Sequence, residues 1–204
     1  MPNIPAIVHS VLIAALLFGN PARAECGCLW EGSFSEVHAG ASIVLSGTVI
    51  AGKGNSIDLH VDELMRGTEG LPAIRVWLKD GDYCRPEALL FPNNSHWVMA
   101  LHRIEDQVPG GFNPGTPNIS YGRKGDYSLS SCGGYWLQRS EQWVSGNLVN
   151  APRWVREPKM TPVLVEVVSA FVRGEVSADA LVEASKIDPG LRELMNDTKA
   201  FLRE

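Results

Sequence analysis

A mainly β domain of five strands, arranged as a small barrel or sandwich and followed by a helical tail, is the fold that the sequence predicts. Three observations carry this expectation. The run 56–62 alternates, with Ile57, Leu59 and Val61 on one side and Ser56, Asp58, His60 and Asp62 on the other, the period of a half-buried strand. Short β-branched or apolar runs recur along the chain with turn residues between them. After Thr161-Pro162 the apolar spacing changes to that of a helix.

Taken in order, residues 35–39 form a short helical stretch ahead of the first strand, Ile43 to Ile50, in which Gly47 marks a bulge or bend. The alternating run 56–62 is the second strand. The third, Ala73 to Lys79, directs Ile74, Val76 and Leu78 inward and Arg75, Trp77 and Lys79 outward. Trp97 to Leu101 is apolar on both faces and therefore central, and Tyr127 to Cys132 with Tyr135-Trp136-Leu137 supplies the fifth strand. Between the fourth and fifth strands, Arg103 to Asp126 is rich in Gly, Pro and Asn, and a loop of that length in a compact domain commonly carries function. In the tail, Pro162 opens a helix containing Leu164, Val167, Val168 and Phe171. A shorter helix runs from Ala178 to Ser185, and Asp188-Pro189 opens a third.

The N-terminal residues 1–24 have the form of a signal peptide. Their apolar core from Val11 to Phe18 is too short to span a bilayer, and Ala22-Arg23-Ala24 follows the helix-breaking Gly19-Asn20-Pro21 as a small-x-small cleavage site. Cleavage there leaves 180 residues in a secreted or periplasmic product with no membrane segment of its own. That product carries 17 basic and 23 acidic side chains, a formal net charge of −6. With no basic stripe to neutralise phosphates, nucleic acid is not an expected partner. The division expected is a signal peptide at 1–24, a β domain at 25–140, a linker at 141–160 and a helical segment at 161–204.

In an exported chain, the four cysteines Cys26, Cys28, Cys84 and Cys132 read as two disulfides with three connectivities open. Cys26 and Cys28, separated by one residue, cannot easily bond each other. In an extended segment both face the same side, so each can reach a different partner and staple the segment twice.

Several motifs share an order and spacing: Cys26-Gly27-Cys28 at the mature N-terminus, a short helix, Ala41 to Val49, a second strand ending in Met65-Arg66-Gly67, a cysteine ahead of Trp97-Val98-Met99-Ala100, and Leu129-Ser130-Ser131-Cys132-Gly133. Together they resemble the netrin-like module shared with the tissue inhibitors of metalloproteinases, over about residues 26–138. The resemblance implies a five-stranded OB-like barrel with Cys26 paired to Cys84 and Cys28 to Cys132. The helical tail lies outside it, and the third disulfide of the inhibitors is missing.

Three functions compete. The first is a non-catalytic protein-binding module, with Glu25, Cys26, Gly27, Cys28, Trp77, Phe112 and Tyr121 as candidate contacts and an unidentified protein as partner. The second, which the resemblance implies, is inhibition of an extracytoplasmic metalloprotease through the amine and carbonyl of Cys26 on the protease zinc. Cleavage after Ala24 leaves Glu25 in front, and an amide is a poor zinc ligand. The third is a redox or metal-binding role for Cys26 and Cys28, with His38, His60, His96 and His102 as further ligands. Ser/His/Asp order, phosphate loop and paired carboxylates are not found. No catalytic residue, cofactor or resident metal is therefore expected.

Overall fold

The computed structural model describes residues 26–80, 83–106, 120–151 and 162–186. The proposed signal peptide, Glu25, Phe112 and the helix expected from Asp188 lie outside the described residues.

Eight strands form one sheet: β1 (Ile43–Lys53), β2 (Ser56–Arg66), β3 (Ala73–Trp77), β4 (His96–Arg103), β5 (Tyr127–Ser128), β6 (Trp136–Ser140), β7 (Trp143–Gly146) and β8 (Val163–Leu164). Their order is β1-β2-β3-β5-β4, and β4 also pairs with β1, so the first five close into a barrel. All of these pairings are antiparallel except β3–β5. This is the closed, OB-like five-stranded architecture expected. The sheet then continues past β4 through β6, β7 and β8.

Of the expected inward residues, Ile57, Leu59, Ile74, Val76 and Leu78 are buried and Val61 is partly buried against the core. Ser56, expected outward, is buried at the turn into β2, its hydroxyl donating to the Lys53 carbonyl at 2.9 Å. Val98, Met99, Ala100 and Leu101 of β4 are fully enclosed. β4 is central because it borders β1 on one side and both β5 and β6 on the other. Gly47 lies at a register shift of the β1–β2 ladder. A β-carbon there would sit 2.6 Å from the His60 carbonyl oxygen and 2.8 Å from Leu59 Cγ. The bulge thus bends β1 where no side chain fits.

Two parts of the strand reading change. The expected fifth strand is two elements: only Tyr127 and Ser128 close the barrel, pairing with His102 and Arg103, while Trp136 to Ser140 pairs farther along the same edge of β4, at His96 to Met99. The stretch expected as linker supplies β7, and β8 pairs with it at Trp143↔Leu164 and Val144↔Val163. Since Val163-Leu164 is taken up in that pairing, α2 (Val165–Val172) starts three residues beyond Pro162. It packs Val165, Val168 and Val172 into the core, and α3 (Ala178–Ala184) adds Leu181. The Ser177 hydroxyl caps α3 by accepting from the Ala180 N–H at 3.3 Å.

Candidate functional site

Ahead of the barrel runs the segment from Cys26 to Ser33, which leads into α1 (Phe34–Val37) and one 3-10 turn, His38–Gly40. Two disulfides hold it, Cys26–Cys84 and Cys28–Cys132, with Cα separations of 5.2 and 5.8 Å. Cys26 and Cys28 do reach different partners, in the pairing that the resemblance implies. The staples lie side by side: Cys26 Sγ and Cys28 Sγ are 3.2 Å apart, and all four sulfurs fall within 4.8 Å of one another.

Backbone contacts fix the same segment independently of sulfur. The Glu31 N–H donates to the Cys132 carbonyl at 2.8 Å, Ser131 N–H to the Cys84 carbonyl at 3.0 Å, and Phe34 N–H to the Asn147 carbonyl at 2.7 Å. The Tyr135 hydroxyl donates to the Glu31 carboxylate. Burial and then this bond push the Tyr135 hydroxyl well above the usual phenol range. Glu36 accepts from both the hydroxyl and the backbone N–H of Ser33, at 2.7 Å each, which holds its carboxyl below the usual value and secures the start of α1.

The edge so fixed presents apolar side chains to solvent. Leu29, next to Cys28, is 87% exposed, and Tyr83, next to Cys84, is 39% exposed. Tyr121 stacks at a tilt on Tyr83, with ring centroids 5.2 Å apart. The Arg85 guanidinium lies 4.6 Å over the Tyr83 ring while donating to the Tyr121 carbonyl at 2.7 Å. Cys26, Gly27, Cys28 and Tyr121 of the predicted contacts therefore belong to one neighbourhood. Sequence reasoning does not find Leu29 and Tyr83, because a single exposed apolar residue leaves no periodic signal.

Trp77 does not belong there, and the expectation that it faces outward is corrected. It is fully buried, and its indole N–H donates to the Asp126 carboxylate at 2.8 Å. The guanidiniums of Arg75 and Arg123 lie 5.9 and 5.6 Å from its ring centre. Strand alternation does turn Trp77 away from the barrel interior. The end of the β4–β5 loop then folds over it, pinned where the Asn55 amide bonds both backbone groups of Ser120.

The same loop end walls a groove of about 460 Å³ on the outer face of β2 and β3, lined by Ile50, Asp58, Leu71, Arg75, Arg123 and Lys124 among others. Arg75 grips Asp58 through two bonds, at 2.8 and 3.0 Å, and that pairing raises its guanidinium above the usual value. At one side Glu69 accepts from the Tyr127 hydroxyl at 2.5 Å and from Arg103 at 2.9 Å. The acidic and basic groups of the groove largely satisfy one another, leaving no single sign of charge to select a ligand.

The histidines are dispersed. His60 bonds Asp62 at 3.2 Å, His96 bonds Thr48 at 2.8 Å, His102 packs edge-on against Tyr135, and His38 against Phe171. Among the described residues, the four cysteines are the one group of three or more His, Cys, Asp or Glu residues placed to share a metal ion. In the oxidised protein their sulfurs are all engaged. The described helices include none long and apolar enough to cross a membrane. No protein-family model, curated protein or solved structure matches the chain.

Proposed function

We propose that this chain is an exported, non-catalytic protein-binding module of the netrin-like and metalloproteinase-inhibitor type, and that its stapled N-terminal edge is the contact surface. The observation that carries the reading is Leu29, 87% exposed on a segment held by two disulfides. An apolar side chain on a backbone already fixed loses little further freedom when a partner covers it. Tyr83 and Tyr121 add aromatic surface with few rotatable bonds beside it. The barrel's strand order and the positions of both staples support kinship with such modules, and the disulfides suit an oxidising, extracytoplasmic compartment.

The test is recovery of partners from the exporting compartment with the mature protein as bait. Leu29→Asp is expected to lose at least about tenfold of any specific partner, in line with losing a central apolar contact, whereas Lys124→Glu in the groove retains it. Equal recovery by wild type and Leu29→Asp refutes the edge as the contact surface. The inhibitory version of this reading needs Cys26 as the first residue, and a mass measurement placing Glu25 ahead of it removes the chelating amine.

A further inference from the structure

The clustering of four sulfurs says more than that two staples are adjacent. Two disulfides need sulfurs to meet only in pairs, yet here the two pairs also meet each other, with 3.2 Å between Cys26 Sγ and Cys28 Sγ and all four sulfurs within 4.8 Å. A Zn2+ ion bound tetrahedrally at about 2.3 Å from each thiolate requires sulfurs about 3.8 Å apart. That spacing lies inside the range of sulfur separations found here, above the 3.2 Å contact of Cys26 with Cys28 and below the 4.8 Å limit of the group.

We propose that these four cysteines form a second, mutually exclusive site: when reduced, Cys26, Cys28, Cys84 and Cys132 bind one Zn2+ as a tetrathiolate. Moving from disulfides to thiolates asks each bonded pair to open by about 2 Å, shared between two side chains, and the 3.2 Å contact of Cys26 with Cys28 to open by about half an ångström, while separations longer than about 3.8 Å close. The backbone around the site does not depend on the sulfur bonds. The Ser131 N–H donates to the Cys84 carbonyl, the Glu31 N–H to the Cys132 carbonyl and the Gly134 N–H to the Gly32 carbonyl, and none of these bonds involves sulfur. These bonds hold the backbones of Cys84 and Cys132 beside each other and beside the segment that carries Cys26 and Cys28 by contacts other than the disulfides.

Access also fits. Cys26, Cys28 and Cys84 are only half-buried, and Gly27 between the first two places no side chain over them. Cys132 is buried and forms the floor.

The chemistry balances in two steps. A water-soluble phosphine reduces each disulfide: the disulfide takes up two electrons from phosphorus and two protons from one water to give two thiols, and the oxygen of that water makes the phosphine its oxide. Four thiols and one Zn2+ then give a tetrathiolate of net charge −2 and release four protons. Oxidation by an external disulfide reverses the sequence and expels the ion. The same residues therefore hold the N-terminal edge in either redox state.

The experiment is a titration of the full chain with Co2+ under argon in the presence of the phosphine, followed by displacement with Zn2+. One Co2+ per chain is expected, with the intense visible bands and thiolate charge transfer of a tetrahedral four-sulfur site. Zn2+ should bleach the bands and shield all four cysteines from alkylation. Cys132→Ser is expected to weaken binding at least about tenfold. Because that variant could also lose its fold, the oxidised wild type serves as a second control and is expected to bind no Co2+. Fewer than four thiolates in the spectrum, one ion shared by two chains, a reduced chain that binds nothing, or equal binding by the oxidised protein each overturns the site. The proposal does not rest on partner binding at Leu29, and Leu29→Asp is expected to bind metal as wild type does.

Discussion

Asn55 and Ser120 exchange two hydrogen bonds across 65 residues of chain: the Asn55 side-chain amide donates to the Ser120 carbonyl at 2.8 Å, and its oxygen accepts from the Ser120 N–H at 2.9 Å. The same amide reaches the Leu78 carbonyl at 3.2 Å. A turn residue between β1 and β2 thereby holds the end of the β4–β5 loop over Trp77. Asn55→Ala removes these three bonds to buried backbone and is expected to cost about 2–3 kcal/mol. Urea unfolding measures the loss, and the tryptophan emission of the native variant should shift to the red as Trp77 meets water.

Gly47 has no room for a β-carbon because backbone oxygen, not a movable side chain, stands 2.6 Å from where that carbon would lie. Gly47→Ala is expected to destabilise by about 1–3 kcal/mol through forced separation of β1 and β2. Gly40, where an added β-carbon would meet nothing within 4 Å, is the comparison. Gly40→Ala should leave the thermal midpoint nearly unchanged.

Glu69 is 7% exposed at its side chain and is surrounded by donors. Burial pushes its carboxyl up, but bonds from Tyr127, Leu71 and Gly70 together with the charge of Arg103 outweigh it, and the net shift is downward. Burial and the same contact push the Tyr127 hydroxyl up to about 12. A carboxyl whose folded value is depressed stabilises the protein above its ordinary value near 4.3, and that contribution fades as pH falls through the folded value. Tyr127→Phe removes two charge-assisted bonds, the one the hydroxyl donates to Glu69 and the one it accepts from Arg103, and is expected to cost at least about 1.5–3 kcal/mol at neutral pH. Its deficit relative to wild type should shrink in acid, which paired unfolding curves at pH 7 and pH 3 would show.

His38 and His102 both have values lowered chiefly by burial. In His38 the carbonyls of Phe34 and Ser35 pull upward without winning, and in His102 Glu31 does the same. The unfolded chain takes up protons near pH 6.5 while the folded one still resists. Stability is therefore expected to drop as pH falls below about 6.5, down to the lowered folded values. Replacing both with Asn should flatten the urea midpoint between pH 7.5 and pH 5; an unchanged slope would count against these two residues as the source.

Much of the barrel is legible in the sequence because its strands are long enough to display a period, as Ile57 and Leu59 do on β2. β8 is not, since two residues, Val163 and Leu164, cannot show alternation and owe their state to pairing with β7. Trp77 departs from its expected exposure because periodicity tells which sheet face a side chain takes, and not whether a loop 49 residues later will cover that face through Asp126. At the candidate site, the cysteine spacing announces a doubly held segment. The exposure of Leu29 and Tyr83 follows only once Cys28 and Cys84 have been drawn to their partners, a tertiary event with no local trace.

The two staples span 58 and 104 residues, and synthesis proceeds from the N-terminus. Cys26 and Cys28 are therefore made long before Cys84, and longer still before Cys132, with the whole of β1 to β4 arriving in the interval. Cys26 has its partner before β4 is made, whereas Cys28 must wait until the last strand of the barrel has passed. The second staple therefore closes over a barrel whose five strands have all been made, and it ties the segment ahead of the first strand to the stretch just after the fifth.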